Sequence, residues 1–302
     1  ARTRAAAARV IAGFRAGKLV EELAALVVDN DEEVALTAIH AIGHRRVSAL
    51  APNLCTRLGP GRIGRSAAIS LIKIGVEAVE PLQKVLESGP HAARRAAIRA
   101  LVRIDSPEAV DVVLQVIRTG GIDLATGAVR AIAHRARHER IDERLRKELR
   151  EIAIAETEII TLLATAEGCD EAPMALAIEL RARRVLSQDK FFHCLAACTR
   201  PGAVLDVLPK IVELGGRTLP SAERAAAIEL LDTTVRDREL RQHLALAVEG
   251  KKNLPWMRVV GELMELGDEW ITGLINNPTL STQRIDDAMD ISLRALLLRK
   301  VD

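Results

Sequence analysis

From about Asn30 to Gly120 the apolar positions recur as a block as well as with a helical period. Ala35, Leu36, Ala38, Ile39, Ile42 and Gly43 make a first frame, with the spacing of one helix face. The frame returns, with Gly75 in the place of Gly43, as Ala67, Ala68, Ser70, Leu71, Ile74 and Gly75. It returns once more, with Asp105 in that place, as Ala97, Ile98, Ala100, Leu101, Ile104 and Asp105. A shorter frame follows each one: Val47, Leu50, Leu54, then Val79, Leu82, Leu86, then Val110, Val113, Ile117. This pattern predicts one helical hairpin written three times. In each copy Gly or Asp ends the first helix, and small Ala or Ser residues let neighbouring first helices approach closely. A unit of that size cannot bury its apolar face alone, so the copies stack as a solenoid.

The polar punctuation fits the same elements. Asn30-Asp31 offers N-cap chemistry, with Glu32 and Glu33 in the positive first turn. Ser106-Pro107-Glu108 is another helix start, and Gly59-Pro60-Gly61, Gly89-Pro90 and Gly120-Gly121 are turns between units. Upstream, Ala1 to about Ala16 reads as a helix, and Leu19, Leu23, Leu26 and Val27 give a second helix an apolar face. A fourth copy starts at Ala128, Ala131 and Ile132 but puts Arg135 where the core Ile should stand. The regular array decays there.

Beyond that point the elements lengthen. Glu139 to Glu167 and Met174 to Thr199 form a long antiparallel pair expected to brace or cap the array. Four shorter helices follow, at Pro201–Leu214, Pro220–Val235, Arg238–Val248 and Leu254–Leu266, and Asn276-Asn277-Pro278 stops the fold. Thr279 to Asp302 is a tail helix whose Leu293, Leu296, Leu297 and Leu298 are apolar enough to dock on the body or lead into a following domain. The expected organisation is therefore residues 1–137 as the helical repeats, 138–277 as the long hairpin with degenerate helical repeats, and 278–302 as a tail or linker.

Composition supports helices over sheets. Aromatic residues are 2% of the chain and Tyr is absent, whereas pleated faces are filled by aromatic and β-branched side chains. The 43 Lys and Arg balance 41 Asp and Glu, a net charge of +2 that describes a mixed, solvated surface and argues against nucleic acid as the partner. The skewed stretch is Ala1 to Val20, with Arg2, Arg4, Arg9, Arg15 and Lys18 and no acid. Four irregularly spaced cysteines give no disulfide framework, so a reducing, cytoplasmic setting is expected. No apolar run approaches the roughly 20 residues that span a bilayer. The chain opens at Ala1 without Met, which suggests processing or a segment of a longer protein.

Candidate chemistry is sparse. His193, Cys194 and Cys198 share a helix neighbourhood, but Cys169 lies in the turn at the far end of the hairpin, so buried structural thiols are expected in place of zinc. The pairs His40/His44 and His134/His138 lack a third ligand nearby, and Gly43 is expected to break the helix between the first two. Glu229 and Asp232 share a helix side with no nucleophile alongside, and Trp256 and Trp270 read as packing points. Phosphate-binding, dinucleotide, nucleophile-elbow and zinc-protease motifs are all missing, so no catalytic residue, metal or cofactor is expected. The partner-binding candidates are Arg94, Arg95, Arg99 and Arg103, a basic stripe on the third repeat suited to carboxylates or phosphates.

The frame Ala-x-x-Ala-Leu/Ile-x-x-Ile-Gly, as Ala35–Gly43 and Ala67–Gly75, followed by Val-x-x-Leu-x-x-x-Leu, resembles the short HEAT repeats of bacterial proteins of the phycobilin-lyase type, over roughly Leu19 to His134. Of the HEAT-like enzymes, deoxyhypusine hydroxylases would need several His-Glu pairs where only His138-Glu139 occurs, and alkylpurine glycosylases need aromatic and basic residues on the concave face. Residues 139–302, through Ala227–Asp232, Trp256 and the tail Leu297-Leu298-Arg299-Lys300-Val301, look like the region that joins a nucleotide-translocase-like membrane domain to a cyclic-nucleotide-binding domain in certain bacterial multidomain proteins. These resemblances imply an all-α, HEAT-like α-solenoid acting as a non-enzymatic scaffold for a protein partner or adjacent domains, in the cytoplasm or at the cytoplasmic face of a membrane. The alternatives are a bilin-lyase-type accessory enzyme with a ligand in the concave groove, and a phosphate-backbone binder using the amino-terminal helix and the Arg stripe.

Overall fold

The computed structural model describes residues 20–170, 172, 174–212 and 221–276. The expected helix at Ala1–Ala16 and the tail helix at Thr279–Asp302 lie outside them. Among the described residues the fold is all-α, with no strand, and its repeats are HEAT-like. No helix among them is long and apolar enough to cross a membrane. The chain divides into two compact units between Ile117 and Arg118.

The first unit holds α1 (Val20–Val27), α2 (Glu32–Arg45), α3 (Ala51–Cys55), α4 (Gly61–Ile74), α5 (Val79–Ser88), α6 (His91–Leu101) and most of α7 (Pro107–Thr119). The helix starts are where the polar residues put them. Asp31 Oδ1 accepts the backbone N–H groups of Glu33 and Val34, and Ser106 Oγ accepts that of Ala109. First helices pack on first helices, α2 on α4 and α4 on α6. The repeated frames make this core: Ala35, Ile39, Ile42, Ala67, Leu71, Ala97, Leu54 and Leu82 are fully enclosed, while Ala68 and Val110 are half-buried.

Gly43 does not break its helix. α2 continues to Arg45, and the left-handed residue that closes it is Arg46 (φ 51°), whose N–H reaches the Gly43 carbonyl at 3.3 Å. The glycine serves packing instead. A Cβ on Gly43 would lie 2.5 Å from Ser70 Oγ and 2.7 Å from Ser70 Cα, so the missing side chain lets α2 and α4 touch backbone to side chain. Ser70 Oγ uses that closeness to donate to the Ile39 carbonyl at 2.9 Å. His40 and His44 accordingly sit on one continuous helix, both exposed, with His40 Nε2 3.2 Å from Ser66 Oγ. Gly75, by contrast, does end α4, at φ 92°.

A helix-interior glycine normally gains about 1 kcal/mol of stability on replacement by Ala. Gly43→Ala is expected to do the opposite, because overpacking costs about 1–3 kcal/mol and Ser70 Cα cannot swing away. Gly127→Ala, where a Cβ meets nothing within 4 Å, is expected to stabilise by about 1 kcal/mol. Urea melts of the two variants should therefore shift in opposite directions; a stabilised Gly43→Ala protein would refute the close contact.

The second unit is built on α8 (Ile122–Ala136), α9 (Glu143–Glu167), α10 (Met174–Cys198), α11 (Pro201–Ile211), α12 (Ser221–Thr234), α13 (Arg238–Glu249), α14 (Trp256–Glu265) and α15 (Glu269–Asn276). The last of these follows the expected four short helices as a fifth. The long pair α9–α10 is the centre of this unit: α10 packs on α8, α9, α11, α13 and α15. At the closed end of the hairpin, Leu162, Leu163 and Leu180 meet Val259 and Leu263 of α14 and Ile271 of α15, with Trp256 and Trp270 packed partly buried against them.

Candidate functional site

Of the basic stripe, Arg94, Arg95 and Arg99 lie on α6, and Arg103 lies just past its end, its backbone N–H bonded to the Ala100 carbonyl. Arg99 and Arg103 are exposed, and Arg94 and Arg95 are half-buried. The apolar side of the same helix, Ala93, Ala97, Ile98 and Leu101, is in the core. The side chains of Arg99 and Arg103 form no ion pair or hydrogen bond among the described residues, which leaves two guanidinium forks facing solvent.

The cluster on α10 is buried and structural in geometry. Cys194 is fully enclosed, Cys198 donates to the Arg146 carbonyl at 3.4 Å, and His193 Nδ1 lies 2.7 Å from the Asp189 carbonyl oxygen. Burial pushes the His193 imidazole down, outweighing the nearby Asp189 carboxylate, so the ring stays neutral. The exposed His134 ring stands 6.4 Å from it, centre to centre. Burial likewise pushes the Cys55 and Cys198 thiols up to about 12 and the Cys194 thiol well above its usual range, which keeps them from acting as nucleophiles. No group of three or more His, Cys, Asp or Glu able to hold a metal occurs among the described residues.

Around α10 the structure assembles charges that the residue pattern did not announce. Arg183, with 3% of its side chain exposed, pairs with Asp268 at 2.6 Å and Glu156 at 3.7 Å and donates to Ser187. Lys190 reaches Glu156 at 2.7 Å, and Arg130 reaches Asp189 at 2.8 Å. A threonine ladder on α9, in which Thr161 donates to the Thr157 carbonyl and Thr165 to the Thr161 carbonyl, ties into the following segment where Thr165 Oγ1 accepts the Lys252 N–H. The three cations and three carboxylates of this network balance one another, which suits a structural role.

The open end of the hairpin differs. There the start of α9, the end of α10 and the α12–α13 turn enclose a cleft of about 730 Å³. Its lining includes Arg144, Arg146, Lys147, Arg150, Arg200 and Arg236. Arg150 bonds Asp237 Oδ2 at 2.8 Å and also pairs with Glu239, and both carboxylates hold its guanidinium charged. Asp237 is pulled below the usual carboxylate range first by that bond, and it also caps α13 by accepting the N–H groups of Glu239 and Leu240.

Against known proteins, residues 61–133 match the family model for HEAT repeats. That span runs from the start of α4 into α8 and includes all four arginines of the stripe. No curated protein matches the chain at a significant level.

Proposed function

We propose that this chain is a non-enzymatic HEAT-repeat scaffold whose repeat unit offers a surface to a protein partner or to an adjacent domain of a longer chain. One observation carries this reading: α6, inside the HEAT-repeat match, holds its apolar face in the core and leaves Arg99 exposed, with Arg103 beyond it, neither of them paired within the described residues. Among the described residues no carboxylate pairs with either side chain in place of a partner's, and charge-assisted bonds from Arg forks are the strong ones. A cytoplasmic setting is part of the reading, supported by four free thiols. The version in which the partner is a neighbouring domain rests on the resemblance of residues 139–302 to the region between a transporter-like domain and a cyclic-nucleotide-binding domain. The rival, a bilin-lyase-type accessory enzyme, lacks support from the cysteines, whose thiols are buried and pushed upward.

The test is a photo-crosslinking amino acid placed at Arg99 in the full gene product in its own cells. Adducts to a protein, or to another domain of the same chain, are expected, and Arg103→Glu should reduce them. Equal labelling from the exposed position Glu77, or adducts to nucleic acid alone, would remove the proposal.

A further inference from the structure

We propose that the cleft at the open end of the α9–α10 hairpin binds a compact ligand bearing two or more adjacent phosphates. The cleft brings together cations from three separate parts of the chain. Lys147 comes from α9, Arg200 from the turn after α10, and Arg236 from the turn before α13. All three are exposed, and none of their side chains forms an ion pair or hydrogen bond among the described residues. The other lining cations are Arg144, Arg146 and Arg150, against the carboxylates of Glu143 and Asp237. Those two carboxylates are already engaged: Glu143 with Arg146 at 2.7 Å, and Asp237 with Arg150 and the α13 N-terminus. The lining therefore holds a formal excess of four positive charges, and three of its cations await a partner. Like charges gathered in a concave site repel one another and raise the local potential, which a bound anion relieves.

Size and lining chemistry select the ligand. About 730 Å³ falls in the range of small-molecule sites, roughly 300–1,000 Å³, and is too confined for a folded partner. Adjacent phosphates supply three or four negative charges within that space, whereas carboxylates would need a separate carbon for each. Arginine forks suit phosphate oxygens bidentately. The uncharged lining residues are Leu240, Thr199, Thr234 and Cys198, with no aromatic ring on which a base could stack. Affinity should accordingly follow the number of phosphates and be indifferent to the base: tripolyphosphate, ATP and GTP should bind alike, and AMP weakly.

The experiment is calorimetric titration of the whole chain with sodium tripolyphosphate, beside flotation with phosphatidylcholine vesicles with and without phosphatidylinositol bisphosphate. Tripolyphosphate binding that weakens about tenfold in each of Lys147→Gln, Arg200→Gln and Arg236→Gln, and vanishes in the triple variant, supports a soluble polyphosphate ligand. Binding to the bisphosphate vesicles alone, lost in the same variants, supports the same chemistry presented as a lipid headgroup. Lys73→Gln, at an exposed cation on α4, should change neither. On the unaltered protein, acylation of Lys147 by an N-hydroxysuccinimide ester should be suppressed by tripolyphosphate, a readout independent of how the variants fold. Unchanged binding in the triple variant, or binding of polyglutamate with no response to either phosphate form, would overturn the assignment.

Discussion

Replacing Arg183 by Met is expected to destabilise the second unit by about 3–5 kcal/mol, the range for removing one partner of a buried ion pair. The side chain is nearly the right length for its site, so lost volume is not the cause. The cause is what stays behind. Glu156 keeps Lys190 at 2.7 Å, but Asp268 loses its counter-charge while its carboxylate remains largely enclosed. Burial pulls the Asp268 carboxyl upward, yet the Arg183 charge and the N–H groups of Ile271 and Trp270 outweigh it and hold the carboxyl below its ordinary 3.8. A carboxyl depressed on folding contributes stability above its unfolded pKa and loses it as pH falls through the folded value. The gap between native protein and variant should therefore be full at neutral pH and narrow as the pH falls past the ordinary carboxyl value of 3.8. Asp268→Asn on the Arg183→Met background should recover much of the loss, since Asn caps α15 as well as Asp and needs no cation. Urea unfolding across pH would read all three; equal losses at every pH would assign the effect to packing.

That network also marks the limit of what the residue pattern can disclose. The repeats are legible because their signal is local: each frame fills one helix face, and the next copy along the chain restates it. Even there Gly43 misleads, since a glycine near a helix end reads as a stop, and only the 2.5 Å approach of Ser70 reveals it as a contact. α10 fails in the other direction. Glu179, Arg183, Asp189 and Lys190 look like a solvated face, and the pattern assigns the helix to bracing an array. Their burial depends on partners 59 and 85 residues away, Arg130 and Asp268, which no periodicity connects. A usable clue is present in Phe191 to Ala197, where the helix carries apolar residues on all sides and so has no face to give to solvent. The cleft is illegible for the same reason: Lys147, Arg200 and Arg236 are scattered in sequence and meet only when the hairpin closes.

Phe191→Ala is the companion experiment on the apolar half of α10, with an expected loss of about 3–5 kcal/mol. Every residue from Phe191 to Ala197 is buried, two turns enclosed in all directions, and Phe191 and Phe192 are both fully inaccessible with their rings edge to face at 5.2 Å. Successive helix residues point about 100° apart, yet the two rings meet edge to face, so truncating one also strips a contact from the other. Truncating one leaves a void that α8, α9 and α11 cannot all close upon, because each is held by its own contacts to α10. Phe191→Leu, which keeps most of the volume, should cost less than about 1.5 kcal/mol. Hydrogen exchange separates this variant from Arg183→Met: the cavity should speed exchange at amides of α8 and α11, whereas loss of the ion pair should act first at α15, whose N-cap it holds. Slow exchange in α8 and α11 of the Phe191→Ala protein would mean that the hairpin is not the centre on which the second unit is assembled.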